Sequence, residues 1–546
     1  SAARRSARTA GSHRPRAAAV RAPRSRAAAL SPGAADAARR TASAARIAWD
    51  GGRVASARGL LARAGRLASD QGAARDSGGL PGIIEFAHGD QERAARLLMC
   101  DSGAAAGPAT SLESAALAVR AAWNAGATAR RREALGRLAE LAGTAEPPVR
   151  SLLAVLLRWW TDGPAGGAGR LPADAVAAVA AAPWQLVPPA PLVLAWGAEE
   201  TLAEAFRHRL EVLRHGGATS ALLLTAPQAA VLDIVRGRWA EADANAVEML
   251  RLAEEAGTQH AACHCLNVLA RLAALRGDER AVAALTARAV QLSAPRGARA
   301  STAAAYWSRG PAALLAGRPH EALEHLVRLA EPAHPAGHPT FALLAAADTV
   351  EAAVRAGRPE DGRAAAAALR GWAERTGTPW ATAAALHSAA LLEQDGAAEL
   401  FPRALEAPGA AQRPLCHART RLLYGQWLRR VRRRADARIQ LARAAETFRR
   451  LGCEPLLEQA VSEQELTGGS GRSVHRSRPW AALTTQEKRV AGLAAAGLTN
   501  RQIADRLLIS PRTVGHHLSN VFPKLGISTR RALAGVDVDG DARPST

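Results

Sequence analysis

Alanine and leucine recur at three- and four-residue spacing through most of this 546-residue chain, with arginine and acidic residues between them. That spacing gives each predicted helix one apolar face. β-Branched and aromatic strand formers are sparse. The pattern predicts an all-α fold and speaks against strand-rich barrels and a doubly wound sheet. The chain is also too long for one compact core, so at least two domains are expected.

The helices are organised by an internal repeat. Glycines 52, 89, 126 and 163 fall 37 residues apart, each three residues after an aromatic: Trp49, Phe86, Trp123 and Trp160. After a looser step to Gly197, glycines 237, 277, 317 and 357 follow at intervals of 40, and Gly396 extends the series. Each unit reads as helix, glycine-marked turn, helix. In Leu314-Leu315-Ala316-Gly317-Arg318-Pro319 the glycine suits a left-handed helix cap, and the proline suits the first turn of the next helix. A lone hairpin cannot bury its apolar face, so stability requires stacking. The expectation is a superhelical array of TPR-like helical hairpins over residues 36–466 with a concave binding surface, the last helical pair reaching about residue 450. Residues 1–35 read as a disordered basic segment, 467–479 as a flexible linker and 537–546 as a tail.

Residues 480–536 change character. Thr484 with Glu487, and Thr499 with Gln502, each make a capping box; the two helices are expected to stop at Gly497 and near Leu508. Ser510 caps a third helix, with Pro511 in its first turn and Gly526 at its end. Ser528 starts a fourth. The second and third helices, joined by Leu508-Ile509-Ser510, have helix-turn-helix dimensions. Leu483, Val490, Leu493, Leu498, Ile503, Leu507, Val514, Leu518, Val521 and Leu525 are spaced to form one small core. In such a motif the third helix enters the DNA major groove, here offering Arg512, His516, Ser519, Asn520 and Lys524. Arginine and lysine suit phosphates; histidine, serine and asparagine reach base edges. A purely structural four-helix bundle with a solvated charged face is the alternative.

Leu483-Thr484-Thr485-Gln486-Glu487, Gly497-Leu498-Thr499-Asn500-Arg501-Gln502-Ile503-Ala504, Ser510-Pro511-Arg512-Thr513-Val514-Gly515-His516-His517-Leu518 and Lys524-Leu525-Gly526-Ile527 together resemble the LuxR-type DNA-binding domain. The resemblance implies base-facing roles for Gly515, His516 and Ser519. It places Arg501, Thr513, Asn520 and Lys524 near backbone phosphates and assigns the dimer contact to the last helix, Ser528 to about Val536, with Ser528 and Leu533 as contact residues. Gly515 stands where the family often has lysine, which removes a contact and puts a helix-weakening glycine mid-helix. An array ending in such a domain also resembles the large ATP-binding regulators of the LuxR family, but without their N-terminal ATPase domain. The implied function is a cytoplasmic, sequence-specific DNA-binding transcriptional regulator. Its partners would be double-stranded DNA, an effector or protein on the array, and a second copy when bound to DNA, with RNA polymerase a further candidate. The alternatives are a helical-repeat interaction scaffold with a secondary DNA-binding domain, or part of an ATP-dependent regulator whose ATPase lies upstream of Ser1.

Charge sharpens this picture. The net charge is +22, but residues 1–30, 419–450 and 480–536 hold nearly all of it. A near-neutral body with basic segments suits an anionic partner at the ends. Arg429, Arg430, Arg432, Arg433 and Arg434 are either further phosphate contacts or a solvated helix face. Lys488 and Lys524 are the only lysines, and neither follows a glycine, so no phosphate-cradling P-loop is present. No cofactor is expected, and the residues forecast no ATP response where the resemblance alone would forecast one. Five cysteines make no disulfide framework. Cys263-His264-Cys265 near His260 invites a metal reading, but residues two apart on a helix face different ways, so no metal site is expected. The uncharged run Ala175–Gly197 holds four prolines and is rejected as a membrane span. No hydrolase, glycosidase or deaminase motif appears, so an enzyme is not expected.

Overall fold

A computed structural model describes residues 33–67, 78–103, 107–161, 171–467, 485–507 and 511–524, with Ile527 and Leu533. The fold is all-α, with no strand among the described residues. It divides into two compact units, Ser1–Thr467 and Gly468–Thr546. The first helix spans Ala34–Asp50, so residues 34 and 35 are helical rather than part of a disordered arm. A helix at Glu454–Glu465 follows the pair Pro414–Arg430 and Arg434–Leu451, so the pair expected to be last, reaching about residue 450, is followed by one more helix. Thr467 is buried and donates its hydroxyl to the Gln464 carbonyl, so it closes the array rather than opening a linker. Residues 1–32, 468–479 and 537–546 lie outside the described residues.

The glycine series marks real turns. Gly52, Gly126, Gly197, Gly237, Gly277, Gly317 and Gly357 adopt φ between 65° and 81°, a conformation costly for any residue with a Cβ. Gly89 and Gly396 depart from the expectation, at φ −116° and −85°, and Gly163 lies outside the described residues. The midpoints of the 40-residue units carry glycines too. Gly217, Gly257, Gly297 and Gly377 are left-handed at 59–68°. At Gly337 a Cβ would stand 1.9 Å from the Glu331 carbonyl oxygen. Glycines thus recur every 20 residues from 197 to 377, and most helices in that span end on one; Pro319–Val327 does not, and Gly337 lies in the loop beyond it.

The hairpins pack on their chain neighbours and also meet hairpins far along the chain. Ser220 donates to the Trp49 carbonyl across 171 residues, and the Trp123 indole to Thr340 across 217. Trp372 and Trp380 both donate to the Ala195 carbonyl, and the Cys453 thiol reaches the Leu275 carbonyl. A hairpin therefore touches one about five units further on. Several turn glycines sit at these meetings: a Cβ would come within 2.5 Å of Pro455 at Gly277 and 2.8 Å of Leu451 at Gly237. The absent side chain permits both the turn and the close approach.

Ion pairs reinforce the closure. Arg413 donates to Glu199 at 2.6 Å and to the Leu194 carbonyl at 2.6 Å, with its guanidinium over Trp380. Arg419 binds Asp348 and Glu351, while Arg271 stacks 4.2 Å over Trp307, whose indole donates to Asp348 at 3.0 Å. Burial works against the Asp348 and Glu351 carboxylates, but the facing arginines outweigh it and hold both below the ordinary carboxylate range.

In the second unit, helices Thr485–Ala495, Asn500–Leu507 and Pro511–Lys524 surround Val490, Ala491, Ala494, Ile503, Ala504, Val514, Leu518, Val521 and Leu533. Leu493 and Leu498 are partly buried against this cluster. Leu483, Leu525 and the Leu507 side chain lie outside the described residues.

Candidate nucleic-acid interface

The second of the three C-terminal helices is started by its own side chains. Gln502 Oε1 accepts from the Thr499 backbone N–H at 2.8 Å, and Gln502 N–H donates back to the Thr499 hydroxyl at 3.3 Å. This reciprocal box satisfies two donors that a helix start leaves open. The preceding helix stops where Gly497 turns left-handed at φ 86°. The corresponding partners Thr484 and Ser510 lie outside the described residues.

The helix Pro511–Lys524 carries most of the expected DNA contacts. Val514, Leu518 and Val521, at i, i+4 and i+7, fix one face in the core. Gly515 is half-buried and Ser519 exposed, its hydroxyl donating to the Gly515 carbonyl at 3.0 Å. Arg501 is exposed on the preceding helix. Arg512, Thr513, His516, Asn520 and Lys524 lie on the third helix, but their side chains are outside the described residues, as is Ser528. A Cβ on Gly515 would meet nothing nearer than Asn500 Nδ2 at 3.9 Å, so there is room for a side chain there. Leu533 needs correcting: it is fully buried in the domain's own core, so its side chain anchors its segment and is not available to a partner subunit.

Of the arginine run, Arg429 pairs with Glu463 and Arg433 with Asp436. Arg432 has φ 64°, the left-handed position that glycine fills at other turns. The Cys263 thiol donates to the Ala289 carbonyl, and burial pushes its pKa up to about 12, away from the thiolate that binds metal. No described helix is long and apolar enough to cross a membrane.

The sequence reading passed over a cavity inside the first unit, about 190 Å³ in volume. Phe86, Trp123, Trp307 and Phe341 line it, with Arg120, Asn124, Arg271, Asp348 and Arg419 among them. The available signal was a charge within an apolar run, as in Ala118-Val119-Arg120-Ala121-Ala122 and Ala346-Ala347-Asp348. Burial there lowers the imidazole pKa of His387 to about 4 and of His264 to about 3.

The three helices around one small core fit a helix-turn-helix DNA-binding domain. The profile of the bacterial regulatory proteins of the LuxR family matches residues 481–536, and this segment is a LuxR-family domain. A Mycobacterium bovis protein named as an HTH-type transcriptional regulator is 45% identical over 65 residues, 12% of this chain and 7% of that protein. The Mycobacterium tuberculosis DNA-binding transcriptional activator DevR/DosR is 39% identical over 62 residues, 11% of this chain and 29% of the activator. The Bacillus subtilis transcriptional regulatory protein LiaR is 35% identical over 81 residues, 15% of this chain and 38% of LiaR. The likeness is local, and the chain spans 7% of the length of the first of these relatives.

Proposed function

We propose that the chain is a cytoplasmic, sequence-specific DNA-binding transcriptional regulator. Its LuxR-type domain reads an operator as a homodimer, and its TPR-like helical array binds the effector or partner that controls it. The observation that carries this reading is the family match over 481–536, on a helix whose Val514, Leu518 and Val521 fix one face inward. Arg501, Arg512, Thr513, Asn520 and Lys524 then serve the phosphates, and Gly515, His516 and Ser519 face the bases. The dimer contact belongs to the segment from Ser528, with Leu533 supporting it from inside.

Selection of bound sites from random duplex DNA provides the test. Arg512→Ala or Lys524→Ala weakens binding to every sequence and lowers the salt slope by about 1. His516→Ala changes which sites are preferred. Selected sites are inverted half-sites about one helical turn apart. Binding unchanged in all three variants overturns the groove assignment. A fragment starting near Arg472 that folds but shows no preference among DNA sequences supports the scaffold reading instead.

A further inference from the structure

Arg120 sits on the helix Pro108–Asn124, 5% exposed, and lines the cavity. The other cavity arginines are matched: Arg419 holds Asp348 and Glu351, Arg413 holds Glu199, and Arg271 faces Asp348 at 4.0 Å. Arg120 has no ion pair among the described residues. Its guanidinium lies over the Phe86 ring, 5.5 Å from the ring centroid, and its Nη2 has no protein acceptor. A buried cation without a counter-charge is expensive, and proteins retain one where something else supplies the charge.

The polar groups beside it, His260, His264 and Asn124, are neutral. His260 packs against Phe86 at 4.9 Å, and its Nε2 lies 3.2 Å from that of His264. Burial and the neighbouring positive charges keep both imidazoles neutral. One turn along the helix from Arg120, Asn124 is 2% exposed with neither amide atom matched by a protein group. Trp123, Trp307 and Phe341 supply apolar wall, and the other charged residues of the lining, Arg271, Asp348, Arg413 and Arg419, are held in ion pairs. The volume of about 190 Å³ somewhat exceeds the roughly 150 Å³ apolar cavity that accommodates benzene.

We propose that this cavity binds a small organic anion. Its acidic group pairs with Arg120 and Asn124, and its one- or two-ring apolar body lies against Trp123 and Trp307. This deepens the effector role given to the array and rests on that reading for its regulatory meaning, but the site stands on its own geometry.

The test is calorimetry on the full chain without DNA. The probes are 2-naphthoate, its neutral counterpart 2-naphthamide, and inorganic phosphate. Saturable binding of 2-naphthoate is expected below about 1 mM, with 2-naphthamide and phosphate each at least about ten-fold weaker. Arg120→Met abolishes the preference for the anion and raises the melting temperature of the ligand-free protein, because an unmatched buried charge is removed. A merely structural arginine would lower the melting temperature instead. Asn124→Leu, which keeps the side-chain size, weakens 2-naphthoate at least several-fold and guards against misfolding of the first variant. Equal binding of acid and amide, no binding of 2-naphthoate, or unchanged affinity in both variants overturns the site while leaving the DNA-binding reading intact. Anion-selective binding that leaves operator affinity unchanged supports the site and removes its effector role.

Discussion

The C-terminal domain and the helical array solve the same problem, all-helical packing, over different distances. The domain relies on devices a few residues long: the Thr499–Gln502 box, the Gly497 cap and the Val514, Leu518, Val521 stripe. The array is closed by hydrogen bonds spanning 171 to 219 residues and by buried ion pairs such as Arg413–Glu199. Local devices make a small module that is expected to fold by itself. Distant closure makes a large unit whose stability depends on a few buried polar groups, because each loses its partner when the far hairpin shifts.

Acid provides the largest contrast. Burial lowers the pKa of His338 and His387 to about 4 in the fold, so the unfolded chain binds more protons below pH 6.5. Their contribution is complete above about pH 6.5 and is lost as pH falls toward 4, on the order of 3 kcal/mol each. Melting of the array followed by circular dichroism should move down steeply across that window. The fragment from Arg472 onward carries neither histidine and should move less; parallel behaviour would remove the distinction.

Breaking one long-range pair comes next. Arg413→Ala strands a Glu199 carboxylate that is 4% exposed, and chemical denaturation should show a loss of about 3–5 kcal/mol. Replacing both residues by methionine should recover most of that loss. A single variant within about 0.5 kcal/mol of the parent would mean that the pair does not close the array.

Single-residue backbone effects are smaller and exist in both regions. Arg432→Gly relieves a left-handed arginine and should stabilise the array by about 1 kcal/mol. Gly515→Lys, placed where space is open to Asn500 at 3.9 Å, should stabilise the C-terminal domain by a similar amount, about 1 kcal/mol. It should also steepen the salt dependence of DNA binding by about one phosphate contact. A lysine that stabilises the fold without changing the salt slope would place position 515 away from the DNA.

The smallest expected effect is none at all. Mg-ATP should change neither DNA affinity nor the melting of the chain, because Glu487 precedes one lysine, Pro523 the other, and neither serves a phosphate loop. Saturable ATP binding tighter than about 100 μM would show that the array holds nucleotide by another route.

The sequence alone determined the helices, most of the 40-residue turn series and the C-terminal domain. Capping boxes, left-handed glycines and i, i+4 apolar spacing are short-range codes, readable wherever donor and acceptor lie within a few residues. The 20-residue half-period was less legible, because Gly217, Gly257, Gly297 and Gly377 stand outside the 37- and 40-residue series. Leu533 was assigned to the dimer contact by resemblance, and a resemblance assigns a helix to an interface without saying which of its apolar side chains turn into the domain's own core. Only the tertiary structure decided which distant hairpins meet, and therefore that Arg413 finds Glu199, Arg419 finds Asp348, and Arg120 has no ion pair among the described residues. Coulomb attraction and desolvation act through space, and chain order does not encode their distances until the hairpins have stacked.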